Sequence, residues 1–298
     1  MSYNNVHFDD ELNNRLYQRL QNLKLGQDRV LNFLIRYLLA SNGEKQLKHC
    51  DAFLQLLAKM RFNLESANLL LPMLFDDYRF KTSINLIYRG IIDDIINSYY
   101  LFGTVALADP NQIALNNELT IFHKEFIMSS IKGIKASQKF NRYVESLDGS
   151  VKPNTGNIEK QFKKSNPDIV DVNGNWKKNN ELRESSNQYF IDLLDQGDSN
   201  GFISEAAKLR FIKARGIKMH DNLEALFKYL SQYQHFSPKA HDLLLHHIEY
   251  DIVIYQNCVG ELVMLLDQLL QFLKLKGKSL IKKEWDELAP EIFNSFSK

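Results

Sequence analysis

Cysteine, proline and glycine are all scarce in this chain. Its 298 residues include two Cys, six Pro and 13 Gly. Two cysteines, Cys50 and Cys258, both in apolar surroundings, exclude a disulfide framework and read as buried free thiols of a reducing compartment. Few prolines and glycines leave helices with few breakers. Neither sign of charge is in excess: 37 basic against 36 acidic residues give a formal net charge of +1. A whole-molecule field that would draw in nucleic acid is therefore excluded, although a local basic patch is not. The opening MSYNNVHFDDELNN has no basic stretch followed by an apolar one, so it does not read as a secretory signal. No uninterrupted apolar run reaches the ~18 residues of a membrane span. The expectation is a cytoplasmic protein without a membrane segment. Also lacking are the phosphate loop GxxxxGK[ST], the dinucleotide fingerprint GxGxxG, the nucleophile elbow GxSxG and the zinc motif HExxH.

What is present is helical period. Apolar residues recur at i, i+3, i+4 and i+7 through nearly every segment. Gly26 is expected to end a first helix, Asp9 to Leu25, with a second over Gln27 to Ala40. Pro72 should split a longer helix, Lys45 to Tyr78, near Leu71. Arg79 to Phe102 is the most apolar segment and reads as a central helix. Asp109 and Pro110 open the next helix, which runs to about Leu147. Residues 148–180 turn rich in Gly, Asn, Pro and Lys and read as a loop-like, partly disordered insertion. Helices return over Glu181 to Leu194, Phe202 to Arg215 and Met219 to His235, with a turn at Asp195 to Gly201 and a weak point at Gly216. Ser237 and Pro238 start a last long helix to about Lys276, and residues 277–298 form a tail with a short helix. Strand alternation is confined to Asp168 to Val172. The expected fold is all-α, a multi-helix bundle forming one domain over 1–298.

Two stretches concentrate chemistry. In YLSQYQHFSP, Ser231 and His235 are four apart and share a helix face at a helix end, with Tyr229 and Tyr233 beside them. The partial negative charge of that end favours imidazolium, and a histidine near neutral pKa beside a hydroxyl can serve as general acid or base. The plainer alternative is a cap on backbone carbonyls. In YRGIIDD, Arg89 and Asp93 are four apart in an apolar helix and must pair if buried. They can fix helix register, or Asp93 can orient Arg89 toward an anionic substrate. A further pair, Arg215 and His220, reads as solvated loop. His241, His246 and His247 raise the question of metal, but no ligand motif supports it, and no metal or other cofactor is expected. Lys160, Lys163, Lys164, Lys177 and Lys178 could guide a nucleic-acid backbone or simply solvate the insertion.

YRGIIDDIINSYYLFG and KYLSQYQHFSP together resemble the two motifs of a group of bacterial helical proteins, the DUF5677-like families, over about residues 30 to 275. Those families place an Arg four residues before an acid, and later a Ser and a His, four apart, that end a helix. The acid here is Asp93, where the families have Glu. They are similar in turn to the HEPN superfamily, many members of which are metal-independent endoribonucleases of toxin–antitoxin and phage-defence systems, often dimeric. The resemblance implies RNA as substrate, an antitoxin-type protein partner and a homodimer. His235 would be the acid or base, with Arg89 on the phosphorane charge and Ser231 or Tyr233 orienting the phosphate. Arg215 and His220 match the HEPN Arg–His spacing as an alternative pair. Other HEPN members are non-catalytic. The competing expectation is therefore an interaction or scaffold protein in which Arg89–Asp93 and Ser231–His235 form a buried polar network.

Overall fold

The computed structural model describes residues 10–41, 48–75, 77, 79–105, 111–148, 157–186, 203–217, 221–234, 247–273 and 278–296. Among them are ten α-helices: α1 (Asp10–Ser41), α2 (Lys48–Leu70), α3 (Phe80–Val105), α4 (Ile113–Asp148), α5 (Ile158–Ser165), α6 (Asn179–Leu182), α7 (Glu205–Ala214), α8 (Asp221–Ser231), α9 (Ile248–Phe272) and α10 (Lys278–Phe296). The described residues contain no strand, only one antiparallel bridge between Val170 and Trp176. The fold is all-α, as the helical period requires. The chain divides into two compact units, Met1–Tyr100 with Arg215–Lys298, and Leu101–Ala214.

In the first unit α1 packs on α2, α9 and α10, and α8 packs on α9. The apolar segment read as a central helix is α3. Its Ile84, Tyr88, Ile92, Ile95 and Tyr99 are fully buried, each such side chain stabilising by roughly 1.5–3 kcal/mol. Tyr88 stacks on Tyr255 of α9 with ring centroids 4.5 Å apart, and its hydroxyl accepts from Gln27 of α1. Both cysteines are buried free thiols. Pro72 acts as expected: α2 stops at Leu70, and Leu71–Leu74 tightens into a 3-10 turn.

Three expectations are corrected. Gly26 does not end a helix, because α1 runs through it. A Cβ at Gly26 would lie 2.6 Å from the Phe296 ring, so the residue is small to admit α10. The last long helix cannot run unbroken from Ser237, because His247 is extended and caps α9, its Nδ1 accepting the Glu249 N–H at 3.3 Å. The terminal helix is longer than expected, 19 residues with Pro290 inside it. Asp109, Pro110, Ser237, Pro238 and the turn at Asp195 to Gly201 lie outside the described residues.

The insertion is the largest departure. Asn157 caps α5, its side chain accepting from Lys160 N–H at 3.0 Å. Ile169 is fully buried against Ile127 and Ile131 of α4, with Phe162, Trp176 and Leu182 around them. Asp171 accepts the N–H groups of Asn173 and Asn175 and closes a turn around Gly174, whose φ is +79°. Arg183 and Glu118 form a sealed ion pair at 2.6 Å, and Lys124 Nζ donates to the Lys177 carbonyl at 2.9 Å. A few apolar residues at near-regular steps thus fold much of the expected loop onto α4. Further along, helix is described only to Leu182 of the expected Glu181 to Leu194, and residues 187–202 lie outside the described part.

Candidate functional site: a buried polar seam

Steps of four put Lys81, Asn85 and Arg89 on one side of α3. All three are buried, at 3%, 0% and 6% exposure. This side meets α8 and α9. Arg89 Nε donates to Ser231 Oγ at 2.8 Å, and that hydroxyl donates to the Phe227 carbonyl at 2.7 Å. The guanidinium pairs with Asp93 one turn along α3 and lies 3.9 Å over the Phe227 ring. The spacing-based pairing of Arg89 with Asp93 therefore forms, and Ser231 joins it from 142 residues away. His235 lies outside the described residues.

The other end of the seam is centred on Asp251 of α9, fully buried. Lys81 Nζ is 2.7 Å from its carboxylate, Asn85 hydrogen-bonds it, and the Tyr229 hydroxyl donates to it at 3.2 Å. Tyr233 reaches Tyr229, hydroxyl to hydroxyl, at 3.2 Å. Burial raises the Asp251 carboxyl above its ordinary range, and Lys81, then Tyr229 and Asn85, oppose that rise. Burial also pushes both tyrosine hydroxyls upward. Tyr233 thus belongs to the Asp251 end and not to Arg89. Lys81 and Asn85 escaped the reading of the sequence, although their four-residue steps to Arg89 were an available signal. In the sequence Asp251 stands out only by its place four residues after His247, because its partner Lys81 lies 170 residues earlier.

The remaining candidates scatter. Arg215 follows α7, and Gly216 turns the chain with φ +65°, while His220 lies outside the described residues. Of the insertion lysines, Lys163 is tied to Glu159 at 3.3 Å, and Lys177 Nζ donates to the Asp168 carbonyl at 2.8 Å. The Lys178 N–H donates to Glu181 at 2.8 Å, and Lys160 and Lys164 are exposed. His247 is a helix cap, and His241 and His246 lie outside the described residues. Among the described residues no three His, Cys, Asp or Glu side chains cluster as metal ligands would. Ile248–Gln271 is long and apolar enough to cross a bilayer although charged residues interrupt it, but 61% of its apolar window is buried in the protein.

The seam sets buried charges in fixed pairs across three helices, with its donors directed at protein acceptors. No protein-family model, curated protein or solved structure matches this chain.

Proposed function

We propose that the chain is a non-catalytic helical interaction protein and that the Arg89 and Asp251 clusters are the polar network specifying how α3, α8 and α9 pack. One observation carries this reading: Arg89 is 6% exposed, with Nε on Ser231, its ion pair on Asp93 and one face on Phe227. A phosphate could bind it only by displacing those partners. Such networks are costly unless complete, and they disfavour alternative packings.

A second reading is a HEPN-like, metal-independent endoribonuclease of the cytoplasm, acting on RNA and held by an antitoxin-type partner. The meeting of Arg89 and Ser231 favours it, since that chemistry needs the two motifs together. His235 would take the 2′-hydroxyl proton, Arg89 would balance the phosphorane charge, and a cyclic phosphate would be left.

The test is cleavage of labelled single-stranded and transfer RNA in EDTA by the wild type, Arg89→Ala and His235→Ala, with melting curves for each. The expected result is no cleavage by any of them and a stability loss of about 2–4 kcal/mol for Arg89→Ala, which strands Asp93 and Ser231. Wild-type cleavage abolished by both substitutions, with melting unchanged, would establish the ribonuclease instead.

A further inference from the structure

The outer side of α4 carries four exposed large apolar side chains. Phe126, Phe140, Tyr143 and Leu147 are 69%, 64%, 60% and 69% exposed. They share one side of the helix, opposite the buried Ile127 and Ile131. Ser129, Gly133 and Ala136, all exposed, lie between Phe126 and Phe140 and leave a shallow saddle. A Cβ at Gly133 would meet nothing within 4 Å. Flush with this stripe runs a basic one: Lys132, Lys135, Lys139 and Arg142, at steps of three, four and three residues. Helix α5 borders the basic side, where Lys135 pairs with Glu159 at 2.6 Å, and it adds the exposed Lys160 and Lys164. Between residues 132 and 164 the chain carries eight Lys or Arg against three Asp or Glu. The stretch is locally positive in a molecule of formal net charge +1.

We infer that the outer face of α4, with the adjoining edge of α5, binds a single strand of nucleic acid, its phosphates on Lys132, Lys139, Arg142, Lys160 and Lys164 and its bases stacked on Phe140, Tyr143 and Phe126. Flat, separately exposed rings beside a row of cations are what unpaired bases on a charged backbone require. The two other occupants of such a face fit worse. Antiparallel pairing of two copies about Gly133 and Ala136 would set Lys132 of each against Lys139 of the other, like charge on like. A bilayer needs a continuous apolar face, and here Phe126 stands about 21 Å along the helix from Phe140, with Ser, Gly and Ala between them. The inference goes beyond the proposed function: it belongs to the second unit and stands whether or not the Arg89 cluster is catalytic.

The experiment is fluorescence anisotropy of the full-length protein with labelled single-stranded RNA and DNA of the same mixed sequence and with the matching duplex, from low to moderate salt. The wild type is compared with Phe140→Ala/Tyr143→Ala and with Lys132→Glu/Lys139→Glu. All four side chains are exposed, so melting curves should match the wild type. RNA and DNA strands should bind with similar affinity, and the duplex more weakly. Binding should fall steeply with salt, and each double variant should weaken it about tenfold or more. No binding at about 100 μM protein in low salt overturns the inference. So does binding that both variants retain, since it would lie elsewhere. Capture by phosphatidylserine vesicles in place of nucleic acid, or self-association lost in Phe140→Ala/Tyr143→Ala, would assign the face to a membrane or a second copy. Arg89→Ala is run alongside: it should bind normally even where any cleavage is lost, which separates the two sites.

Discussion

Glu261 sits on α9 at 2% exposure, and its Oε2 has no hydrogen-bond partner among the described residues. When ionised it pushes up the Tyr99 hydroxyl of α3 and the Cys258 thiol one turn earlier. Burial alone raises its carboxyl from an ordinary 4.5 to about 7. The folded protein then holds a proton that the unfolded chain gives up. The contribution of Glu261 to stability is full below pH 4.5 and declines by about 3 kcal/mol as pH rises to 7. Glu261→Gln, which stays neutral, should flatten that decline and be the more stable protein at pH 8. Denaturant melts of both proteins at pH 4.5, 6 and 8 measure it, and parallel curves would mean that the ionised carboxylate finds a partner. Single residues of this kind are only partly legible in a sequence. Arg89 and Asp93 could be paired because one helical turn contains both. Ser231 could be placed by its helix end, but Lys81 and Asp251 meet only when two helices remote in sequence pack.

Among elements, glycine gave the least reliable signal. Read alone, Gly26 breaks a helix, and the structure uses it for close approach. Gly26→Ala should therefore destabilise by about 1–2 kcal/mol, although alanine is the better helix former by about 1 kcal/mol. Phe296→Ala in the same chain should turn the change into a gain. Thermal melts of the two single variants and the double variant check the sign, and a Gly26→Ala protein more stable than wild type would show that the Phe296 ring moves aside freely. Proline was a better guide, because Pro72 lacks an N–H whatever packs around it. The insertion was misread for a different reason. Low apolar content predicts a loop, but Phe162, Ile169, Trp176 and Leu182 recur at near-regular steps and all meet α4. Spacing carried the information that composition concealed.

For the molecule as a whole, the helical period was enough for the fold class, and it could not reveal the division into two units. That division depends on which helices pack together, and nothing in the composition shifts at Tyr100 or Ala214. The second unit is continuous in sequence and has its own buried ion pair and apolar cluster. Expressed alone, residues 101–214 should give a helical circular dichroism spectrum and a cooperative melt that Ile169→Ala lowers by about 2–4 kcal/mol. A non-cooperative melt would show that the unit depends on the rest of the chain. The segments Met1–Tyr100 and Arg215–Lys298 should not fold separately, because α1 is buried against α9 and α10 from the other segment.

The packing of α1 on α10 also orders events during synthesis. On the ribosome, α1 to α3 emerge first, with the apolar sides of α1 and α3 still waiting for α9 and α10. The whole of the second unit is made before either partner exists, and it can close on itself in the interval. The Gly26–Phe296 contact comes last, and until α9 is made α3, the helix with the most buried isoleucine and tyrosine, lacks the Tyr255 ring that covers Tyr88. That interval is when a chaperone would have most to cover.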